Sequence, residues 1–216
     1  MLPAIVRQPI KPTDQPPLLV LLHGYGSNEQ DLIGLSEELD SRLLVVSLRA
    51  PLECDFGGYA WFEIQWGPDG ISVDGKQALI SRDIVIDVLK MLPDALQVRP
   101  SKVFLGGFSQ GAIMSLGVAA SHPELVDGVL MLSGRLLPEF TSNQLSDRFK
   151  TVPFLVQHGT MDQVLAITGA REVKAFLEGE GVSVEYHEYP MAHEISRESL
   201  DDMATWLFEQ IGDSAS

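Results

Sequence analysis

A serine lies between two glycines in residues 107–111, GFSQG. This Gly-x-Ser-x-Gly pattern is typical of a nucleophile elbow, a strained strand-to-helix turn whose glycines allow close backbone packing while the serine hydroxyl projects above a sheet. The five residues alone are a weak signal, because an ordinary glycine-serine loop has the same pattern. An apolar run at residues 103–105 and a stretch rich in small residues after Ser109 supply the strand and helix that the elbow needs. The sequence therefore favours Ser109 as a nucleophile.

Two further side chains could activate this serine. A serine hydroxyl needs a histidine to take its proton and a carboxylate to orient that histidine. Asp162 and His193 each follow a predicted strand, and the order Ser, Asp, His is one of the known chain orders for such triads. Because the carboxyl ends of parallel strands collect at one edge of a sheet, we predict a catalytic triad of Ser109, Asp162 and His193.

Other histidines and acids compete for these roles. His187 lies within a predicted strand, and His122 precedes Pro123 at the end of a predicted helix, where a capping role suffices. His23 and His158 lie at strand ends beside glycines and could equally be structural histidines that support the site. Among the acids, Asp127 begins a predicted strand and would lie at the wrong edge of the sheet, and Asp147 lies in an irregular segment. Asp55 and Glu194 are the lesser alternatives to Asp162.

Backbone N–H groups must stabilise the oxyanion of an acyl-transfer reaction. One donor is expected from Gln110, directly after the nucleophile, and the other from Tyr25 in the loop HGYGS at residues 23–27. That loop could also be a plain glycine-rich turn or a phosphate site at a helix N-terminus. It lacks the ending of a P-loop and the spacing of a dinucleotide-binding fingerprint.

A long aromatic segment at residues 49–74 could line a substrate groove. Trp61 and Phe62, together with Leu136 after a later strand, are the candidate substrate-binding residues; Trp66 belongs to the same aromatic set. The alternative is that these side chains only cover the core. Cys54 has no elbow around it and is interpreted as incidental.

The elements that would position these residues alternate between strands and helices. Apolar runs predict strands, and 3.6-residue periodicity and caps predict helices. The strands are predicted at residues 4–7, 18–22, 43–48, 103–106, 126–132, 153–157 and 182–189, and the helices at 28–39, 74–92, 110–121, 166–180 and 196–211. Pro93 is expected to end the second helix. This alternation predicts an α/β fold with a mostly parallel central sheet and helices on both faces.

Composition limits the class of protein. The chain has 216 residues, 45% of them hydrophobic, which suits one domain over residues 1–216. A net charge of -15 argues against nucleic acid as a partner. The single cysteine excludes an internal disulfide or thiolate-rich metal site and favours a reducing compartment. Because no signal sequence or apolar run of about 18 residues is evident, we expect a cytoplasmic protein without integral membrane insertion.

Five segments together resemble the phospholipase/carboxylesterase family of α/β-hydrolases, which includes bacterial carboxylesterases and acyl-protein thioesterases. They are LLHGYGSNEQDL at residues 21–32, RAP with GYAWFE within 49–63, GGFSQGA at 106–112, HGTMDQVL at 158–165 and YPMAHEIS at 189–196. These segments follow the family's order over most of the chain. The combination is therefore much more specific than any single motif.

The resemblance implies a compact α/β-hydrolase fold with little or no cap and no metal or organic cofactor. It implies hydrolysis of carboxylic esters or thioesters by the predicted triad, with Tyr25 and Gln110 forming the oxyanion hole. The expected partner is a small-molecule or lipid-like acyl ester, and a homodimer is compatible with the sequence. Ala112 and residues 64–74 depart from the family pattern, which affects substrate identity rather than the triad. A catalytically silent ligand-binding protein of the same fold is the alternative class.

Overall fold

The structure of the chain is a computed structural model, which describes residues 2–67, 70–141 and 144–212. Its main feature is a seven-stranded sheet. The strands of this sheet are β1 Ala4–Arg7, β2 Leu18–Leu22, β3 Leu44–Leu48, β8 Val103–Phe108, β9 Gly128–Leu132, β10 Phe154–Gly159 and β11 Val184–Tyr189, and four further strands, β4 to β7, lie outside it. The order across the sheet is β1-β3-β2-β8-β9-β10-β11. Only β1 pairs antiparallel, with β3, and the other pairs are parallel.

The central strands are apolar throughout because both faces of the sheet are covered. In β2, Leu18, Val20 and Leu22 enter the core on one face, whereas Leu19 and Leu21 enter the core on the other. This alternation follows from the two-residue period of a strand. The edge strand β11 differs, since it carries exposed Glu185 and Glu188.

Helices cover both faces of the sheet. They are α1 Gly75–Ala95, α2 Gln110–Ser121, α3 Pro138–Thr141, α4 Ile167–Gly179 and α5 Arg197–Ile211. Buried residues of α1, α2 and α4 share one core, and those of α5 share the other. The predicted α/β fold with a mostly parallel sheet is therefore confirmed.

The prediction of a helix at residues 28–39 was wrong. The structure has only a 3-10 helix at Ile33–Glu37. The side chain of Asn28 accepts a hydrogen bond from the backbone N–H of Gln30 at 2.9 Å, which stabilises a local turn instead of capping a helix. Local side-chain bonding of this kind competes with helix formation, and apolar periodicity does not reveal it.

The segment at residues 49–74 is more ordered than the predicted loop. It forms two small antiparallel pairs, β4 Leu52–Glu53 with β5 Tyr59–Ala60 and β6 Ile64–Gly67 with β7 Gly70–Val73. The connection between β9 and β10 has only α3 and a 3-10 helix at Phe149–Thr151 among its described residues. No large lid is therefore present in the described part of that connection.

Helix α1 continues past Pro93, where the sequence predicted its end. Proline removes only one backbone donor, and the helix closes two residues later at Ala95. The backbone N–H of Leu96 bonds to the carbonyl oxygen of Leu92 at 2.9 Å, so the last turn remains bonded. In the described residues, no helix combines the length and apolar character that crossing a bilayer requires.

Candidate active site

Ser109 occupies a strained turn between β8 and α2. Its backbone has φ 55° and ψ -113°, a conformation that side-chain-bearing residues adopt rarely. The turn is held by the serine's own peptide groups: its N–H donates to the carbonyl oxygen of Leu132 at 2.8 Å, and its carbonyl oxygen accepts from Ala112 at 3.1 Å. The surrounding structure therefore fixes the serine at the carboxyl end of β8.

Glycine is required on both sides of the turn. A Cβ atom on Gly107 would collide with the backbone of Gly111, and one on Gly111 would collide with the carbonyl oxygen of Leu22. The close approach at Gly107 places the end of β8 against the first turn of α2, and the close approach at Gly111 places α2 against the end of β2. These close approaches are the physical reason for the Gly-x-Ser-x-Gly pattern.

Ser109, His193 and Asp162 meet although they are distant in sequence. The His193 Nε2 atom is 2.9 Å from the Ser109 hydroxyl oxygen, and His193 Nδ1 is 2.6 Å from Asp162 Oδ2. Because a carboxylate only accepts, Nδ1 carries the proton and Nε2 is free to accept one from the serine. The ring of Phe108 packs against that of His193 with centroids 4.8 Å apart, which restricts the imidazole's orientation.

Asp162 is buried and fully hydrogen-bonded. Burial by itself raises the pKa of its carboxyl, but hydrogen bonds from His193 and from the backbone N–H groups of Leu165 and Val164 outweigh it. The pKa of Asp162 consequently lies below its usual value. The Val164 and Leu165 donors both reach Oδ1, at 2.8 and 2.9 Å, and leave Oδ2 for the histidine.

A second histidine contacts the same carboxylate. His158 Nε2 is 3.2 Å from Asp162 Oδ2 and 2.8 Å from the carbonyl oxygen of Leu165. Since a carbonyl oxygen can only accept, Nε2 carries the proton and is shared between the two oxygens. His158 is fully buried, and its Nδ1 has no hydrogen-bond partner in the described residues. Its position fits the structural, site-supporting alternative considered from the sequence.

The loop after β2 is anchored by a buried histidine. His23 Nδ1 donates to the carbonyl oxygen of Gly24 at 2.7 Å, and its Nε2 accepts from the backbone N–H of Ala50 at 3.0 Å. Burial lowers the pKa of His23, which favours the neutral ring that this pair of bonds requires. The bonds hold the start of residues 24–27 against the end of β3.

The far side of this loop pairs with Tyr59. The backbone N–H of Gly26 donates to the Tyr59 carbonyl oxygen at 2.9 Å, and the Tyr59 N–H donates to the Ser27 carbonyl oxygen at 2.7 Å. Arg49 lies over the Tyr59 ring and pairs with Glu29, with a shortest distance of 2.5 Å. The loop is therefore fixed at both ends.

The N–H groups of Tyr25 and Gln110 are unused within the described protein. Neither donates to a described acceptor, and Gln110 is the first residue of α2, where a backbone N–H has no intrahelical partner. Both residues line the cavity that contains Ser109 and His193. Two unpaired donors beside the serine are available to an oxygen atom of a bound molecule.

The cavity at Ser109 is about 210 Å³ in volume and mostly apolar. Its apolar wall includes Phe62, Ile64, Val73, Ile113, Val164 and Leu165. Two charged residues, Asp31 and Arg135, also line it. The cavity suits a short apolar group held beside the serine, with charge confined to its margins.

The three candidate substrate-binding residues occupy different places. Phe62 lines the Ser109 cavity, whereas Leu136 lines an adjoining groove beside the start of α4. Trp61 requires a correction: it is fully buried and lines neither space. Its indole N–H donates to the carbonyl oxygen of His23 at 2.9 Å. It supports the cavity from the core. The side chain of Trp66 lies outside the described residues.

The side chain of Gln110 has a positioning contact that the sequence did not indicate. Its Oε1 accepts from the backbone N–H of Trp61 at 2.8 Å, and its Nε2 donates to the carbonyl oxygen of Phe62 at 2.6 Å. One side chain thus joins the elbow to the cavity wall. Arg135 and Asp31 were also missed: Arg135 lies three residues beyond the end of β9, and Asp31 falls within the segment that the sequence predicted as a helix.

Two of the remaining histidines lie away from this arrangement, and Cys54 contacts it through a side-chain hydrogen bond with Tyr25. His187 bonds to Glu185 at 2.9 Å on the sheet edge, and His122 follows α2. Burial raises the pKa of the Cys54 thiol, which disfavours a reactive thiolate. The described residues contain no group of three or more histidine, cysteine or acidic side chains suited to a metal ion.

The fold and the Ser109, His193 and Asp162 arrangement define a protein of the α/β-hydrolase type. The sequence model of the phospholipase/carboxylesterase family matches residues 3–211. The chain therefore belongs to the phospholipase/carboxylesterase family.

Two proteins with similar sequences have names of carboxylesterases or thioesterases. A probable carboxylesterase, SOBER1-like, from Arabidopsis thaliana is 27% identical over 77% of this chain and 65% of its own length. Acyl-protein thioesterase 1 of Saccharomyces cerevisiae is 27% identical over 68% of this chain and 67% of its own. The chain thus spans slightly less than two thirds of the Arabidopsis protein. The crystal structure of esterase PE8 superposes with a TM-score of 0.83 and 26% identity, covering 95% of this chain and 97% of that one.

Proposed function

We propose that the protein is a serine carboxylesterase that hydrolyses short to medium acyl esters through an acyl-enzyme intermediate. The observation that carries the proposal is the continuous hydrogen-bonded series from the Ser109 hydroxyl through His193 to Asp162, with distances of 2.9 and 2.6 Å. Family membership supports it. The names of the relatives above, a probable carboxylesterase and a thioesterase, are consistent with the same chemistry.

In the first half-reaction, His193 Nε2 takes the proton of Ser109 as the serine oxygen attacks the ester carbonyl carbon. The carbonyl oxygen becomes an oxyanion that accepts hydrogen bonds from the Tyr25 and Gln110 N–H groups. Losing one such donor typically costs about 3 to 4 kcal/mol of transition-state stabilisation. His193 then gives its proton to the leaving alkoxide, which departs as the alcohol and leaves an acyl-serine.

Deacylation repeats these steps with water. His193 takes a proton from the water molecule as its oxygen attacks the acyl-serine carbonyl, and the imidazolium then protonates the Ser109 oxygen. The acid is released and the hydroxyl is restored. Asp162 stays ionised throughout, because its pKa lies below the usual value, and it stabilises the imidazolium.

Cavity size supports short to medium acyl groups. A mostly apolar space of about 210 Å³ accommodates a short acyl chain, and the adjoining groove near Leu136 could extend it. Thioester and lysophospholipid hydrolysis are the alternatives within the class, and the yeast relative's name supports the first. A cytoplasmic location and a homodimer stay predictions from the sequence.

A fluorophosphonate probe tests the proposed nucleophile. We expect covalent labelling of the wild-type protein and none of Ser109→Ala, with hydrolysis of p-nitrophenyl butyrate reduced by roughly 10⁴-fold or more in Ser109→Ala and His193→Ala. Ser121→Ala, at the opposite end of α2, is the matched control and should be labelled and active.

The same experiment tests the alternative that the protein is a catalytically silent ligand-binding protein of the same fold. A ligand-binding protein without catalysis would remain unlabelled and would not turn over any member of an acyl-length series. If Asp162→Asn and His193→Ala, shown to be folded by circular dichroism, both retain near-wild-type turnover, the assigned roles are wrong.

A further inference from the structure

Arg135 lies where the candidate cavity meets the adjoining groove. It follows β9 by three residues and is half-buried. Arg135 lines both the cavity that contains Ser109 and the groove beside the start of α4, as do Val164 and Leu165. Its cation is therefore at the wall of the space proposed to hold the substrate.

Arg135 differs from the other arginines in having no partner among the described residues. The chain has nine arginines, and each of the other eight contacts a polar or acidic side chain. Seven of those eight pair with carboxylates, and Arg7 donates to the Ser36 hydroxyl. Glu172 lines the same groove as Arg135, but no ion pair joins them.

An arginine without a partner among the described residues is unexpected in this chain. The chain has thirty acidic and fifteen basic residues, so carboxylates are abundant, and most of its arginines pair with one. A half-buried guanidinium has lost part of its hydration and gains most from an acceptor that restores its hydrogen bonds. At a cavity wall, that acceptor can be part of a bound molecule.

The order of strands in the sheet places the two charged residues of the cavity, Arg135 and Asp31, on opposite sides of it. The elbow strand β8 lies between β2 and β9. Arg135 follows β9, whereas Asp31, the other charged residue of the cavity, belongs to the segment after β2. The two charges therefore flank Ser109 from opposite sides, and an anionic group is favoured only on the β9 side.

We infer that Arg135 is a specificity-determining residue that selects esters bearing an anionic group, a carboxylate or a phosphate, near the scissile bond. The inference rests on the proposed esterase function and adds a substrate class to it. A planar guanidinium bonds both groups with two parallel N–H donors, so either anion satisfies the same chemistry. The anion can belong to the acyl part or to the alcohol part of the ester.

Two pairs of esters separate these sources. For the acyl side, mono-p-nitrophenyl glutarate is compared with p-nitrophenyl pentanoate. For the alcohol side, 1-butanoylglycerol 3-phosphate is compared with 1-butanoylglycerol through the butyrate released. The measured quantity is the ratio of kcat/KM for the anionic ester to that for its neutral counterpart. We expect a ratio of about ten or more in at least one pair, and a smaller ratio at high salt.

Arg135→Gln tests the residue, because glutamine keeps donors but removes the charge. The ratio in the preferred pair should fall about tenfold, and Arg135→Lys should give an intermediate value. Arg99→Gln is the matched control, since Arg99 is exposed and pairs with Asp94 away from the cavity; it should leave the ratio at the wild-type value.

Two results would overturn the inference while leaving the proposed function intact. One is a wild-type enzyme that hydrolyses the neutral esters with ratios at or below one in both pairs. The other is an unchanged ratio in both Arg135 variants. Failure of the proposed function would instead appear as hydrolysis that persists in Ser109→Ala.

Discussion

At the scale of single residues, the notable feature is a carboxylate shared by two histidines. Asp162 Oδ2 contacts His193 at 2.6 Å and His158 at 3.2 Å, while backbone donors occupy Oδ1. His158 does not take the serine proton directly, because its Nε2 is bonded to Asp162 and to the carbonyl oxygen of Leu165, whereas Ser109 is bonded to His193. Its effect is to hold Asp162 in one rotamer with Oδ2 directed at the histidine beside Ser109.

We expect His158→Leu to reduce kcat by about tenfold with little change in KM, because Asp162 loses a donor and its orientation relaxes. His158→Gln should recover much of the loss, since the glutamine Nε2 can occupy a position similar to that of the imidazole Nε2. Steady-state kinetics with a p-nitrophenyl ester measure both parameters.

A purely structural role for His158 would give a different result in the same measurements. Both variants would then lose thermal stability together, and the active fraction, titrated with the fluorophosphonate, would retain wild-type kcat. Equal kcat in the leucine and glutamine variants after this correction would contradict the positioning role.

The sequence could indicate Ser109, Asp162 and His193 because each follows the end of a strand, and apolar runs in the sequence predict where strands end. It could not indicate Arg135 or the side chain of Gln110 in the same way. Their importance depends on their neighbours in space: Arg135 has no ion-pair partner among the residues that the structure describes, and the side chain of Gln110 bonds to the backbone of Trp61. Trp61 was assigned to the substrate site because burial is not visible in an aromatic-rich segment.

At the scale of elements, the site depends on how closely α2 approaches β2. Gly111 lies in the first turn of α2 and has no room for a Cβ atom beside the carbonyl oxygens of Leu22 and His23. The order of strand, turn and helix could be predicted here because local sequence specifies it. The segment after β2 could not, because Asn28 forms a local turn that replaces the expected helix.

Gly111→Ala should lower the free energy of unfolding by about 1 to 3 kcal/mol or more, because backbone atoms must move to admit the methyl group. Urea unfolding followed by circular dichroism measures the change. Gly179→Ala is the matched control, since Gly179 ends α4 and nothing lies within 4 Å of an added Cβ. A loss in Gly179→Ala as large as that in Gly111→Ala would contradict the steric explanation.

At the scale of the whole molecule, the main feature is the excess of acidic over basic residues. If every one of the fifteen basic residues were paired, fifteen of the thirty acidic residues would still have no cation. Exposed ion pairs contribute little each, so repulsion among the remaining carboxylates should outweigh them. The two cores on either side of the sheet must stabilise the fold against this repulsion.

We expect the free energy of unfolding to increase by roughly 1 kcal/mol between about 20 mM and 500 mM NaCl at pH 7, because salt screens the net negative charge. Urea unfolding measures it, and KCl should give the same increase. A decrease with either salt would mean that attractive pairs, rather than repulsion, dominate the electrostatics of the folded state.

The outer strand β11 adds a constraint on how copies of the chain can associate. Its exposed Glu185 and Glu188 stand beside backbone groups that could otherwise recruit another strand. Because Glu188 pairs with Arg171 at 2.8 Å, two copies joined through this border would bring together chiefly their two Glu185 carboxylates, in a protein whose net charge is already -15. A dimer of this protein should therefore form through some other face, and extension of the sheet into a fibril is opposed from this side.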